Sequence, residues 1–210
     1  MIYPALKKHC DNLVKRFDEI PPTRKVLLEK LSAYIKDKIQ KNEPLQLVYV
    51  CTHNSRRSHF GQVWAAVAAS YYNIKNVKTF SGGTETTAFN INAINALKKT
   101  GFEISTNGVQ TSNPIYTVRF GDKENEFATC FSKVYNDEVN PKSNFAAIMT
   151  CSDAEQNCPF IPGVELRIGT TYNDPKEFDN TLLQDEKYLE RSNQIALECL
   201  YVFSKAANYK

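Results

Sequence analysis

The run PLQLVYVC, residues 44–51, restricts the fold of this chain more than any other feature. Its branched and aromatic residues follow one another without polar alternation, as expected of a strand that is covered on both faces in a parallel sheet. A helical pattern begins soon afterwards, in SHFGQVWAAVAASYYN at residues 58–73. A buried strand that leads through a short polar turn into a helix predicts a parallel sheet with helical crossovers.

The same alternation of strand and helix continues along the chain. Further strands are predicted at 77–83, which ends in a glycine turn, at the buried run 145–151 and at the shorter run 164–170, and periodic segments predict helices at 89–100 and 186–207. Gly101 is a natural stop for the first of these helices. We therefore expect a three-layer α/β fold with a central, mostly parallel four-stranded sheet flanked by helices.

Two segments lie outside this alternation. Residues 5–19 and 23–41 have helical spacing on either side of a proline break, and they predict an N-terminal helical extension over residues 1–43. Two aromatic-rich runs flank the polar turn DKEN and predict an antiparallel hairpin inserted at 112–138. Residues 44–210 would then form the main domain.

Composition and charge exclude several classes of function. The chain has 210 residues, of which 42% are hydrophobic, so it can bury one sizeable core. A net charge of +3, spread along the chain, predicts no nucleic-acid and no membrane partner. Its first residues lack a signal-peptide pattern, and no apolar run approaches the roughly 20 residues of a membrane span, so we expect a cytoplasmic protein.

The turn CTHNSRRS, residues 51–58, carries the chemistry of the first strand–helix junction. In such a turn, inward-pointing N–H groups, a helix N-terminus and the planar fork of Arg57 build a cradle for a tetrahedral anion. Cys51 at its centre should lose its proton easily and act as a nucleophile. The alternative is a structural cysteine beside a solvated arginine. The residues predicted to bind the substrate are Thr52, His53, Asn54, Ser55, Arg56 and Ser58.

The sequence VYVCTHNSRRS resembles the active-site loop of the low-molecular-weight protein tyrosine phosphatases and of the related thioredoxin-coupled arsenate reductases. The similarity continues through SGGTETTAFNINAINALKKTGFEI and covers roughly residues 45–111 and 145–207. It implies a phosphatase-like fold and catalytic roles for Cys51 and Arg57. His53 stands where the family usually has glycine, which predicts either a strained turn or a tolerated surface side chain, and Arg56 stands where a cysteine is common.

A second motif, CSDAEQNCP, resembles the redox segment of the arsenate reductases, which phosphatases do not require. The resemblance implies that Cys51 attacks arsenate and that Cys151 then attacks Cys51, which releases arsenite. Cys158 next takes Cys151 into a disulfide that thioredoxin reduces. The alternatives are a zinc pair or two unrelated thiols, although six intervening residues fit a zinc site poorly. The other cysteines, Cys10, Cys130 and Cys199, lie in apolar segments and are interpreted as packing residues.

The pair Asp174-Pro175 resembles the loop that carries the general acid in this family. A carboxyl group there protonates the leaving oxygen, and proline fixes the backbone that aims it. A simple turn is the alternative. Asp179 is a weaker candidate, expected to cap a helix or to face solvent. Lys176 and Glu177 follow Asp174-Pro175 where many tyrosine phosphatases have aromatic residues.

The sequence therefore predicts an arsenate reductase that uses Cys51, Arg57, Asp174, Cys151 and Cys158, with thioredoxin as reductant. The alternatives are hydrolysis of phosphate monoesters through Cys51, and a module that binds oxyanions or a partner without catalysis. No cofactor and no metal are expected. Some reductases of the family hold a potassium ion beside the loop, but Gln62 occupies the place of a ligand glutamate.

Overall fold

The computed structural model describes residues 1–106, 108, 110–157 (the backbone alone at 157) and 161–207. The strands are β1 Leu45–Cys51, β2 Val77–Gly83, β3 Glu103–Thr106, β4 Tyr116–Arg119, β5 Phe127–Cys130, β6 Phe145–Met149 and β7 Val164–Gly169. The helices are α1 Pro4–Val14, α2 Pro22–Gln40, α3 Arg57–Tyr71, α4 Ile91–Thr100, α5 Ser152–Asn157 and α6 Gln184–Ala207. Two 3-10 helices cover Phe17–Glu19 and Pro175–Phe178.

The four predicted parallel strands form one sheet in the order β2-β1-β6-β7. Strand β1 pairs in parallel with β2 on one side and with β6 on the other, so it lies inside the sheet as its apolar run predicts. From β1 the chain crosses to β2 on one side, and after β2 it returns to β6 on the other side of β1. The carboxyl ends of β1 and β6 therefore lie at the switch point where open α/β sheets place their ligands.

The two faces of this sheet are covered unequally. Leu47 and Tyr49 of β1 belong to the main core, which contains buried residues of α1, α2, α3, α4 and α6. Val48 and Val50 point to the other face and join a smaller core with Ala154 of α5. Side chains alternate along a strand, so one apolar run without polar breaks supplies both cores.

The predicted hairpin is present as β4 and β5, but it belongs to a separate antiparallel sheet in the order β3-β4-β5. Strand β3 was missed, because four partly exposed residues after a helix carry too little pattern. The second strand of the hairpin ends at Cys130, eight residues before the predicted end of the insertion at residue 138. After Cys130, the side-chain amide of Asn113 binds both the N–H and the carbonyl of Ser132. These two bonds take the place of backbone pairing between strands.

The N-terminal segment is helical as predicted, although α1 ends at Val14, five residues before the predicted end, and a 3-10 turn follows. The segment between α1 and α2 therefore runs from residue 15 to residue 21, which is longer than the pair Pro21-Pro22 alone indicates. None of the described helices is long and apolar enough to cross a membrane.

Candidate active site

Cys51 is the last residue of β1, and its thiol is buried at the point where the chain turns into α3. Its Sγ lies 3.1 Å from the hydroxyl of Ser58. The amide of Asn54 donates to that same hydroxyl oxygen at 2.9 Å. Because the oxygen already accepts from Asn54, the Ser58 proton is free to point at the sulfur. Ser58 therefore contacts the nucleophile, and among the described residues the N-cap residue Arg56 makes no side-chain capping bond at the start of α3.

Asn54 also holds the turn, as its residue type predicts. It is the residue of this loop with a positive φ, 44°, and its Oδ1 accepts the N–H of Lys133 at 2.9 Å. His53, at the usual glycine position, is not among the residues with positive φ. The strain considered for His53 is therefore absent, because asparagine takes the left-handed conformation one residue later.

The carbonyl groups of the loop face outward. Those of Thr52, His53 and Ser55 accept, respectively, the Glu85 N–H at 2.8 Å, the Ser132 hydroxyl at 2.9 Å and the Asn90 N–H at 3.0 Å. Within the described part of the chain, no N–H group of residues 53–56 donates to a protein acceptor. Outward carbonyls leave inward N–H groups, which is the backbone arrangement of an anion cradle.

Gly83 permits this close packing of β2 against the loop. A Cβ at this position would lie 2.5 Å from the Thr52 oxygen and 2.7 Å from the Asn54 nitrogen. The glycine turn predicted at the end of β2 is therefore required by the approach of two backbones.

Arg57 is buried, and its guanidinium joins the loop to the segment after β7. Nη1 donates to the Tyr172 carbonyl at 2.8 Å, and Nη2 donates to the Asp174 carboxylate at 2.6 Å. Its Nε is buried and has no partner among the described residues. A buried N–H without a protein acceptor is unusual and fits a site that receives an anion.

Asp174 contacts the predicted anion-binding arginine directly. One carboxylate oxygen pairs with Arg57, and the other accepts the Lys176 N–H at 3.1 Å, so Asp174 caps the 3-10 helix that starts at Pro175. The sequence left a turn and an acid as alternatives. The structure shows both the turn geometry and a carboxylate at the site.

Arg56 does not project freely beside the loop. Its Nε donates to the Tyr188 hydroxyl at 2.7 Å, and its Nη2 lies 3.4 Å from an Asp179 oxygen. Asp179 also accepts from the Tyr188 hydroxyl at 2.7 Å. Asp179, expected to cap a helix or to face solvent, is the C-cap residue of the 3-10 helix Pro175–Phe178. Its carboxylate also offsets the charge of Arg56 at the edge of the site.

The other predicted binding residues hold the loop by their side chains. The Ser55 hydroxyl donates to the Ala88 carbonyl at 2.7 Å. The imidazole of His53 is partly exposed and lies 3.4 Å from the Glu85 carboxylate. Of the two alternatives predicted for His53, the structure has the second, a tolerated surface side chain.

Cys151 lies beside the loop that carries Cys51. It follows β6, the parallel neighbour of β1, and its Sγ is 3.4 Å from the Thr52 hydroxyl. Both thiols are buried in the same small core. Directly after Cys151 the chain forms α5, and the Ala154 N–H points at the Cys151 sulfur at 3.4 Å. Cys158 lies outside the described residues.

The remaining cysteines have a different environment. Cys10, Cys130 and Cys199 are buried, as predicted for packing residues. Burial raises the pKa of each of these thiols to about 12. They stay protonated at neutral pH and are poor nucleophiles.

Tyr172 and Tyr188 are the site residues that the sequence did not reveal. Tyr172 contributes a backbone oxygen to Arg57, and no pattern of side chains marks a carbonyl acceptor. Tyr188 meets Arg56 across 132 positions of sequence. Its position in an amphipathic helix indicated only that it would be buried.

A cavity of about 870 Å³ lies elsewhere. It is bounded by α3, β2 and β5, away from Cys51, Arg57 and Asp174. Gln62 lines it and donates to the carbonyls of Thr79 and Thr129. The described residues contain no group of three or more His, Cys, Asp or Glu side chains that could hold a metal ion.

Comparisons of sequence place the chain among distant relatives. No protein-family model matches it. The arsenate reductase of Staphylococcus aureus strain Newman is 28% identical over 117 residues, which span 55% of this chain and 67% of that protein. Arsenate reductase 2 of Staphylococcus epidermidis is 26% identical over 129 residues, or 61% of this chain and 77% of that protein.

Comparisons of structure show the fold. A YwlE mutant from Bacillus subtilis superposes with a TM-score of 0.51 at 12% identity, over 76% of this chain and 97% of that one. The low molecular weight protein tyrosine phosphatase from T. tengcongensis superposes with a TM-score of 0.50 at 13% identity, over 77% and 99%. At such identities the likeness concerns the fold alone.

Proposed function

Because this chain has the low-molecular-weight protein tyrosine phosphatase fold and a distant similarity to staphylococcal arsenate reductases, we propose that it reduces arsenate to arsenite. The reductant of the proposal is a dithiol protein of the thioredoxin type. The nucleophile is Cys51, and the electrons pass through Cys151 and Cys158.

One observation carries the proposal. A second buried thiol, Cys151, lies beside the turn of Cys51, with its sulfur 3.4 Å from the hydroxyl of Thr52. Hydrolysis of a phosphate ester needs one thiol, whereas reduction of arsenate needs two electrons and therefore a second thiol within reach. The N–H of Ala154 is directed at the Cys151 sulfur at 3.4 Å.

In the first step, arsenate enters the cradle and takes the place of Asp174 on the guanidinium of Arg57. The free Nε of Arg57 and the inward N–H groups of residues 53–56 bind its oxygens. Once Arg57 has released it, the Asp174 carboxylate takes up a proton from solvent. The Cys51 sulfur attacks arsenic, a sulfur–arsenic bond forms, and one hydroxyl group of arsenate leaves as water with that proton from Asp174.

In the second step, the Cys151 sulfur attacks Cys51. A disulfide forms, the sulfur–arsenic bond breaks, and its electron pair stays on arsenic, which leaves as arsenite. Cys158 then attacks Cys151, which releases Cys51 as a thiolate and produces the Cys151–Cys158 disulfide. An external dithiol reduces that disulfide, so each arsenate consumes two thiols and yields arsenite, water and one disulfide.

Hydrolysis of phosphate monoesters is the second candidate. The contact between Asp174 and Arg57 favours it, because an acid beside the anion-binding arginine is what a leaving alcohol needs. Phosphate and arsenate have the same shape and charge, so one cradle accepts both. The difference between the two functions lies in the relay cysteines alone.

Replacement of Cys158 by serine separates the two functions. Under the proposal, Cys158→Ser stops multiple turnover of arsenate, because the Cys51–Cys151 disulfide is no longer resolved, yet one arsenite per protein still forms. Hydrolysis of a chromogenic aryl phosphate stays within about twofold of the wild type. The measurement is arsenate-dependent oxidation of NADPH, coupled through thioredoxin and its reductase, beside the phosphatase assay.

Cys10→Ala is the matched control, because it removes a buried thiol of α1 that stays protonated and lies outside the site. It should retain both activities. Unchanged arsenate turnover in Cys158→Ser would exclude the relay. A wild type that hydrolyses the aryl phosphate but consumes no reductant with arsenate would establish the second candidate instead.

A further inference from the structure

Arg24 belongs to the N-terminal helices, outside the region that resembles the family, yet it forms a bonded pair with α6. Its Nε and Nη2 donate to the carboxylate of Glu198 at distances between 2.8 and 3.1 Å. The Glu198 side chain is only 5% exposed. A carboxylate buried this deeply requires a cation and hydrogen-bond donors, and Arg24 supplies both.

Tyr172 joins this pair. Its phenol donates to the same Glu198 carboxylate at 2.7 Å, and its ring lies 4.9 Å from the Arg24 guanidinium carbon. Burial, and then the charge of Glu198, raise the pKa of Tyr172 well above its ordinary value, so the phenol remains the donor. Glu198 therefore fixes the Tyr172 hydroxyl by a hydrogen bond, and Arg24 fixes the face of the ring by a cation–π contact.

The backbone of Tyr172 reaches the candidate active site. Its carbonyl oxygen accepts Nη1 of Arg57 at 2.8 Å, and its N–H donates to the Thr150 carbonyl at 3.1 Å. Asp174, two residues further on, holds Nη2 of the same guanidinium. Tyr172 therefore connects the two arginines: its ring packs against Arg24, and its carbonyl oxygen orients the guanidinium of Arg57.

We propose that Arg24 is a positioning residue: with Glu198 it fixes Tyr172, whose carbonyl directs the Arg57 guanidinium so that its free Nε faces the bound oxyanion. The inference rests on the proposed oxyanion chemistry. It assigns the N-terminal helices, through Arg24, a role in orienting the anion-binding arginine. Without Arg24, the buried Glu198 carboxylate has only the Tyr172 hydroxyl or water as hydrogen-bond donors. The ring of Tyr172 then shifts, and the backbone of residue 172 moves with it.

The first test measures binding of inorganic phosphate, which has the tetrahedral shape of arsenate but is not reduced. Arg24→Gln should raise the dissociation constant of phosphate about tenfold or more, because a guanidinium that turns away from the anion loses a charge-assisted hydrogen bond to it. Arg24→Lys, which keeps the charge but loses the fork and the stacking, should lie between Arg24→Gln and the wild type. Calorimetric titration gives the dissociation constants.

Arg16→Gln is the matched control. Arg16 lies in the same N-terminal segment and forms a two-bond pair with Glu19, but both side chains are about half exposed and neither touches Tyr172. This variant should bind phosphate as the wild type does. An equal loss in Arg16→Gln would show a general effect of the N-terminal helices and would overturn the role of Arg24.

Tyr172→Phe keeps the test decisive if Arg24→Gln fails to fold, because it removes one hydroxyl and leaves the ring. It should also weaken phosphate binding. The variant that combines Arg24→Gln and Tyr172→Phe should lose less binding free energy than the sum of the losses in the two single variants. Strictly additive losses, or phosphate binding within twofold of the wild type in either single variant, overturn the proposal.

Binding and turnover keep the two proposals apart. A wild type that binds phosphate but reduces no arsenate contradicts the proposed function and leaves Arg24 to be judged by its dissociation constants. A wild type that binds no phosphate contradicts both.

Discussion

His59 shows how strongly a single buried side chain responds to its surroundings. It follows Ser58 in α3, is fully buried, and lies 3.2 Å from the Ser81 hydroxyl and against the ring of Phe89. Burial, with a smaller effect from the nearby ammonium of Lys133, lowers its pKa well below the ordinary value. The imidazole is therefore neutral at pH 7 and remains so when the solution is acidified.

The free energy of unfolding should fall as the pH drops below about 6.5, the ordinary pKa of histidine. Below that pH the unfolded chain binds a proton that folded His59 does not, so stability is complete above it and is lost on acidification. The slope is up to about 1.4 kcal/mol per pH unit for this one group. His59→Asn should lower that slope between pH 7 and 5.5, measured by urea unfolding, whatever its effect on stability at pH 7.

His53→Asn is the matched control, because it makes the same substitution at a partly exposed imidazole beside Glu85. The pKa of His9 is also lowered by burial, so part of the slope remains in either variant. An unchanged slope in His59→Asn would contradict the assignment.

Helix α3 is the element that brings the chemistry to the sheet. The sequence predicted one apolar face, but almost every residue from Arg57 to Ala69 is buried. The helix lies between the main sheet, α6 and β5, so it has no solvent face over that length. Gly61 allows the closest of these contacts, since a Cβ there would overlap the ring of Tyr49 on β1.

Gly61→Ala should therefore destabilise the protein although alanine favours helices. Helix propensity alone would add about 1 kcal/mol of stability, whereas overpacking against a buried ring costs about 1–3 kcal/mol. We expect a net decrease in the free energy of unfolding, measured by denaturant titration. In a Tyr49→Leu background, the same substitution should cost less, because the ring is gone. A stabilised Gly61→Ala protein would mean that Tyr49 moves aside freely.

At the scale of the whole molecule, the N-terminal helices share the core of the sheet. Leu6 of α1 and Ile35 of α2 are fully buried in the cluster that contains Trp64 of α3 and Leu97 of α4. A separate extension over residues 1–43 remains a prediction of the sequence, but its apolar side chains are packed with those of the main domain. One cooperative unit is expected from such packing.

Ile35→Ala should lower the free energy of unfolding by about 2–5 kcal/mol, because it leaves a cavity in that shared core. Fluorescence of Trp64, the single tryptophan, and far-ultraviolet circular dichroism should show the same shifted midpoint. Val26→Ala, on the exposed side of α2, should change stability by less than about 0.5 kcal/mol. Separate transitions for the two signals would show that the N-terminal helices unfold alone.

Much of the architecture was predictable because its signals are local. The runs that became the inner strands β1 and β6 are apolar over several residues, and burial on both faces demands that composition whatever the partner strand. The positive φ of Gly101 at the end of α4 follows from the same local rule. Strand β3 escaped because a short, partly exposed strand is defined by its neighbour and not by its own residues.

The sequence by itself determined which residues form the loop from Cys51 to Ser58 and which strands and helices surround it, since hydrophobic period and turn chemistry act between near neighbours. Only the tertiary structure decided that Arg57 meets Tyr172 and Asp174, that Cys151 lies beside Thr52, and that Arg24 reaches Glu198 across 174 positions. These contacts depend on how strands and helices are placed in space, and the free energy that places them is spread over the whole core.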